Sequence, residues 1–263
     1  MQWEELSAAN FQAAVTESEG VCILPIGVLE KHGNHLPVGT DMMIGQAVCK
    51  AAAQMEKAVV FPYYFLGQIA EARHYPGCIA PSHRLIMDAL LEMCDEIHRN
   101  GFKKIIIYSS HGGNRCFIPF FLQEMPRLAR DYGAYHYFSA TLSEEQMERL
   151  HELAGPSDPG GHAGWSETSL IMHLRPELVD MAAQDAREGE SEGRLADLRG
   201  KGVFSAFDWY AEFPRHIAGD PSPATAAIGK LHFEMQCENL VEVIRLVKAD
   251  QCSAGMMSEF AGM

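Results

Sequence analysis

Continuously apolar runs alternate along this chain with stretches whose apolar positions recur at helical spacing. Residues 21–29 are apolar throughout and read as a buried strand. Residues 103–108 carry three consecutive isoleucines and form the clearest strand. A short strand over 58–61 is stopped by Pro62, and another covers 134–138. Helical periodicity predicts a helix over 41–57, capped by Thr40 or Asp41. A second runs from a Ser82 cap through Ile97 and is ended by Gly101. Others cover 117–132, 165–174 and 223–248. Strands alternating with helices predict an α/β fold, a single domain over 1–263 with a mostly parallel sheet flanked by helices on both faces. Residues 184–202 break the pattern. They are charged and poor in large apolar residues, which predicts a surface loop or short helix, most simply a solvated connector.

The composition narrows the function classes. An apolar fraction of 47 % over 263 residues supplies an ordinary core and excludes a disordered chain. A formal net charge of −14 removes the basic face that nucleic acid would need. The first residues lack the basic and apolar regions of a secretory leader, and no apolar run approaches bilayer-spanning length. Seven cysteines, an odd number with no C-x-x-C pair, predict reduced thiols in a cytoplasmic protein.

Chemistry concentrates in three clusters. The first, Glu30-Lys31-His32-Gly33-Asn34-His35-Leu36-Pro37-Val38-Gly39-Thr40-Asp41, begins where the first strand ends. In open α/β sheets ligands bind beyond the carboxyl ends of strands. Glu30 and His32 flank Lys31, so an extended chain points both to one side. Gly33 and Gly39 let Asp41 fold back. Carboxylates near a core need partners, and the simplest common partner is a divalent metal. The second cluster, Ser109-Ser110-His111-Gly112-Gly113-Asn114, follows the 103–108 strand. Its glycines place His111 at the mouth of the sheet, and Asn114 can cap the next helix or orient the histidine. A serine-hydrolase reading of His-Gly-Gly would need a G-x-S-x-G elbow, and the chain has none.

The third cluster runs from Gly160 to Ser169. Ser166 and Glu167 suit a helix start, whereas His162 within a glycine loop suits a general acid or base. His74, in Arg73-His74-Tyr75-Pro76-Gly77, lies at a plausible pocket rim, and residues 219–225 read as a structural turn. Mixed carboxylate and imidazole donors suit Zn, Mn or Fe(II). Two carboxylates with several histidines suffice for a pair of ions with Asp41 as the bridge, which predicts a metal-dependent hydrolase of a polar carbonyl-type substrate.

These three clusters, in this order, resemble the creatininase family. The family carries a strand followed by Glu-x-His-Gly-x-His-Leu-Pro ending in Asp, then a His-Gly-Gly-Asn or His-Tyr-Glu-Asn turn, then a His-Ala-Gly loop leading to Glu-Thr-Ser. Tyr75-Pro76-Gly77 and Gly219-Asp220-Pro221 also match in order. The resemblance implies an α/β fold with a binuclear centre of Zn, Mn or Fe. One ion would take Glu30, Asp41 and His111. The other would take His32 and the shared Asp41. His162 would be the proton-shuttling histidine. It further implies hydrolysis of cyclic amides or formamides, a small-molecule substrate, and a homo-oligomer, commonly a hexamer.

Two positions depart from the family's pattern. Gly113 stands where the His-Tyr-Glu-Asn form has its last carboxylate ligand, so Glu167 or water would take that role. Asp158-Pro159 replace a Trp-Asp pair that contacts creatinine, so creatinine does not carry over as the substrate. The expected site therefore comprises Glu30, His32, Asp41, His111 and Glu167 at the metal, His162 and Glu167 in catalysis, and His74, Asn114 and Trp165 at the substrate. An isomerase or lyase on the same centre, and a non-catalytic oligomeric member, are the alternatives.

Overall fold

The computed structural model describes residues 1–155, 161–184 and 186–262. Its strands are β1 (Val21–Ile26), β2 (Val59–Val60), β3 (Lys104–Ser109) and β4 (Gly133–Phe138). They form one parallel sheet in the order β2-β1-β3-β4. Its helices, in chain order, are α1 (Ala8–Glu17), α2 (Thr40–Met55), α3 (His83–Arg99), α4 (Asn114–Leu122), α5 (Met125–Leu128) and α6 (Glu144–Ala154). They continue with α7 (Trp165–Leu174), α8 (Ala196–Arg199), α9 (Asp208–Glu212), α10 (Ala226–Ala249) and α11 (Cys252–Ala261).

Side chains alternate across the sheet, so each strand feeds two cores. Val21, Ile23, Ile106 and Tyr108 pack with Val48, Leu170 and Leu240 of α2, α7 and α10. Cys22, Leu24, Ile26, Ile105 and Ile107 pack with Val15, Leu90 and Ile118 of α1, α3 and α4. Each fully buried Leu or Ile contributes roughly 1.5–3 kcal/mol, so both faces must be covered, and they are. Among the described residues no helix is long and apolar enough to cross a membrane.

The connections create the site. After β1 the chain runs to β2 on one side, and later to β3 on the other. The carboxyl ends of β1 and β3 therefore flank a crevice where the strand order reverses. Register aligns these ends, with Ile26 opposite Ser109.

Several boundaries differ from the sequence reading. β1 stops at Ile26, where its pairing with β3 ends. The helix expected over 117–132 is two helices, broken after Leu122. Pro119 lies inside the first, Pro126 opens the second, and Ala129 closes the second in the left-handed region. α2 is preceded by Gly39, so Asp41 lies in its first turn and caps nothing. Gly164, not Ser166, precedes α7. Thr225 caps α10, its hydroxyl accepting from the Ile228 N–H. Asn114 is the first residue of α4, not its cap. The 184–202 stretch contains α8 and is tied to α9 by the Glu192 N–H to Glu212 carbonyl bond. Gly160 and the Asp158-Pro159 pair lie outside the described residues.

Candidate metal centre

Three local devices bring the charged residues together. Beyond β1, the Glu30 N–H bonds to the Val38 carbonyl at 3.0 Å, closing a loop that returns Asp41 to the strand end. A Cβ at Gly27 would lie 2.9 Å from the Met42 nitrogen and 3.1 Å from the Asp41 Cβ. Only glycine there lets the start of α2 abut the strand. The Ser110 hydroxyl donates to the Asp41 carbonyl at 2.7 Å, which fastens the same turn to the end of β3.

Two overlapping groups of ligand atoms result. Glu30, Asp41 and His111 converge within 4.8 Å of one another, and so do His32, Asp41 and Glu167. Glu30, His32 and His162 form a third such group. Asp41 is common to the first two. His111 Nδ1 lies 2.8 Å from Glu30 Oε1 and 3.0 Å from Asp41 Oδ2. Those two oxygens are buried and accept no well-aligned hydrogen bond. His32 Nε2 lies 3.2 Å from Asp41 Oδ1 and 3.5 Å from Glu167 Oε2.

The outward nitrogens are already engaged. His111 Nε2 is 2.7 Å from the Gln68 carbonyl, His162 Nε2 2.7 Å from the Lys31 carbonyl, and His32 Nδ1 3.3 Å from the Glu30 carbonyl. A carbonyl only accepts, so each of these nitrogens carries the proton. The opposite nitrogens of the neutral rings keep their lone pairs for the centre, the usual arrangement behind metal-binding histidines. Orphaned carboxylate oxygens and inward-facing imidazole lone pairs fit a divalent cation.

The protonation balance points the same way. Burial works to raise the Glu30 carboxyl, but charge on His111 and hydrogen bonds from His111 and His216 outweigh it and hold Glu30 well below its ordinary range. Burial opposes charge on His111 and His32, yet the surrounding carboxylates raise His111 well above its ordinary value and His32 to about 10. Glu167, half-buried, is pushed up to about 7 by desolvation, with the Asp41 and Glu30 carboxylates adding to the rise. His162 goes the other way: burial, with His32 and His216 alongside, lowers it to about 3. Without a cation the acids retain positive charge by keeping protons on His111 and His32. A bound cation would displace those protons.

His216 and Trp209 had no place in the sequence reading. His216 is 2 % exposed and sits in the left-handed region at φ 57°. Its Nδ1 accepts from Trp209 Nε1 at 2.9 Å, and its Nε2 donates to Glu30 Oε2 at 2.6 Å. The signal available was a histidine beside the Gly219-Asp220-Pro221 turn, but nothing local linked it to Glu30, 186 positions away. His35, in the first cluster, lies outside the three ligand groups. It is buried, bonded to the Thr168 hydroxyl at 2.9 Å, and lowered by burial to about 4.

A cavity of about 680 Å³ opens on this cluster, lined by Glu30, Asp41, His111, His162, Glu167 and His216, with Trp165 and Trp209 in its walls. Asn114 does not line it. Its Oδ1 accepts from the Gln68 N–H at 3.0 Å, and Gln68 in turn holds His111. His74 is exposed, its ring tilted against Tyr75 and edge-to-face with Tyr210, and does not line the cavity. Gly113 is closed to a side chain, because a Cβ there would meet Gln68 Oε1 at 2.4 Å, His111 Nε2 at 2.5 Å and the Gln68 carbonyl at 2.8 Å.

Fold and site together define an α/β protein with clustered carboxylates and imidazoles at the switch point of a parallel sheet. The chain belongs to the creatininase family, described as creatinine amidohydrolase, whose sequence profile matches residues 4–244. It is 26 % identical over 251 residues to the creatinine amidohydrolase of Pseudomonas putida, covering 91 % of each chain. It is 27 % identical over 243 residues to the mycofactocin precursor peptide peptidase of Mycolicibacterium smegmatis, covering 87 % of this chain and 86 % of that one. Among solved structures it resembles a Bacteroides fragilis protein provisionally called a creatinine amidohydrolase. The TM-score is 0.75 and the identity 26 %, with coverage of 88 % and 91 %. A creatininase variant of Zn-Zn type shares the fold at a TM-score of 0.77 and 21 % identity, over 95 % and 98 % of the two chains.

Proposed function

We propose that this protein is a metal-dependent amidohydrolase that cleaves a non-peptide C–N bond, a cyclic amide or formamide, in a small polar substrate. The observation that carries this reading is Asp41, which lines the cavity, shared between two ligand groups. In this reading Glu30, Asp41 and His111 hold one ion, and His32, Asp41 and Glu167 hold the other. Glu167, from α7, supplies the carboxylate that Gly113 cannot. The donor set suits Zn, Mn or Fe(II). Ions held there would polarise the scissile carbonyl and lower the pKa of the attacking water.

The remaining work falls to the chain. His162 has Nε2 anchored on the Lys31 carbonyl, and its Nδ1 lies 3.8 Å from Glu30 Oε1 at the edge of the centre. Neutral at rest, it takes the proton released on attack and then delivers it to the departing nitrogen. Trp165, 1 % exposed in the cavity wall, packs against the apolar part of the substrate and excludes water. Asn114 acts indirectly, orienting His111 through Gln68.

A panel of formamides and cyclic amides, assayed with the metal-loaded protein for released amine, tests the reading. Turnover that chelator or Asp41→Ala removes supports it. Isomerised product without released amine would instead favour the lyase or isomerase chemistry. A cytoplasmic homo-oligomer is part of the same reading. Unpaired cysteines suit a reducing compartment. Phe204 and Phe207, 83 % and 68 % exposed, offer apolar surface to a second copy, which light scattering would detect.

A further inference from the structure

Arg115 stands where the cavity opens. It is the second residue of α4, directly after the turn that carries His111, and lines the cavity with Ser110, Gly112, Phe138 and Ser139. Its guanidinium carbon lies 4.9 Å from the centroid of the Phe138 ring. That contact steadies the head over the ring and uses none of its five N–H donors. Among the described residues the Arg115 side chain makes no hydrogen bond and no ion pair. This is not for want of acids, since the chain has 35 Asp and Glu against 21 Lys and Arg. Glu71, which lines the same cavity, instead accepts from the Gln68 amide at 2.7 Å. Arg115 is exposed, and the neighbouring lining residue Gly112 is open too, since a Cβ there would meet nothing within 4 Å.

Arg115 is also the only Lys or Arg among the described lining residues, against the carboxylates of Glu30, Asp41, Glu71 and Glu167. A single fork-shaped cation matches one planar carboxylate bidentately. A phosphate dianion would need more positive charge than this rim holds. We propose that Arg115 is an anion subsite, and that the substrate is an amide whose other end carries a carboxylate. This rests on the amidohydrolase reading for the role of the amide end, though the carboxylate contact is measurable without turnover.

Succinamate and succinamide differ only in carboxylate against carboxamide, and serve as the probes. Calorimetric titration of both into metal-free and metal-loaded protein separates contact with Arg115 from contact with a metal. The expected result is succinamate binding about tenfold tighter than succinamide in both forms. Arg115→Gln should abolish that preference, and Arg115→Lys should keep part of it. Equal binding, no binding of either probe, or a preference surviving in Arg115→Gln would overturn the proposal. If the preference holds while the protein neither retains metal nor cleaves amides, the subsite stands and only the catalytic reading falls.

Discussion

Trp209 donates its indole N–H to Nδ1 of His216 across 2.9 Å. An indole nitrogen can only donate, so Nδ1 must accept and the His216 proton sits on Nε2. From there it is donated to Glu30 Oε2, which leaves Oε1 turned toward His111. A residue in the left-handed region costs of order 1–3 kcal/mol, and this contact gives that strain a purpose.

The relay predicts a metal-affinity defect in variants that touch no ligand. His216→Ala should weaken metal binding about 10–100-fold in competition with a chromogenic chelator. Trp209→Phe keeps the ring but not the donor, and should lose less. Unchanged affinity in both would show that Glu30 needs no such support.

Restoring a carboxylate at Gly113 should fail. The Gln68 carbonyl and the His111 ring occupy the place of its Cβ. Gly113→Glu should lower stability by about 1–3 kcal/mol in thermal or urea unfolding, and should reduce metal content. A variant that binds metal more tightly would mean that the turn reshapes freely.

His232 offers a pH test on a buried histidine that belongs to none of the ligand groups. Burial pushes it down to about 4 from an ordinary 6.5, and its Nε2 accepts from the Gln236 amide. The unfolded chain takes up this proton near pH 6.5 and the folded chain only near 4. Its contribution is therefore complete above pH 6.5 and is lost as pH falls toward 4, by roughly 3 kcal/mol in all. Urea unfolding of metal-stripped protein at pH 7 and pH 5 should show a shallower loss in His232→Gln than in the unaltered chain. Equal slopes would refute it.

The legible parts of this chain were those with local causes. Ile105, Ile106 and Ile107 announce a strand because a doubly covered parallel strand must be apolar on both faces. Asp41 was legible as a returning carboxylate because Gly33 and Gly39 permit the return. Glu167 satisfied two readings at once, as it sits in the first turn of α7 and also approaches His32. The break between α4 and α5 was marked by Pro119 and Pro126 but outweighed by the apolar period on either side. His216 was not legible, since its partners Glu30 and Trp209 meet it only through tertiary packing. His74 read as a rim residue from its place past β2, whereas ring contacts with Tyr75 and Tyr210 hold it outside the cavity.

Asp41 is the one carboxylate proposed to serve two ions. Elemental analysis of the purified protein at known concentration, beside Asp41→Ala, tests this most directly. The expected ratio is near two divalent ions per chain, falling below one in the variant. A chain that purifies without metal and cannot be reconstituted, or one that holds a single ion regardless of Asp41, would contradict it.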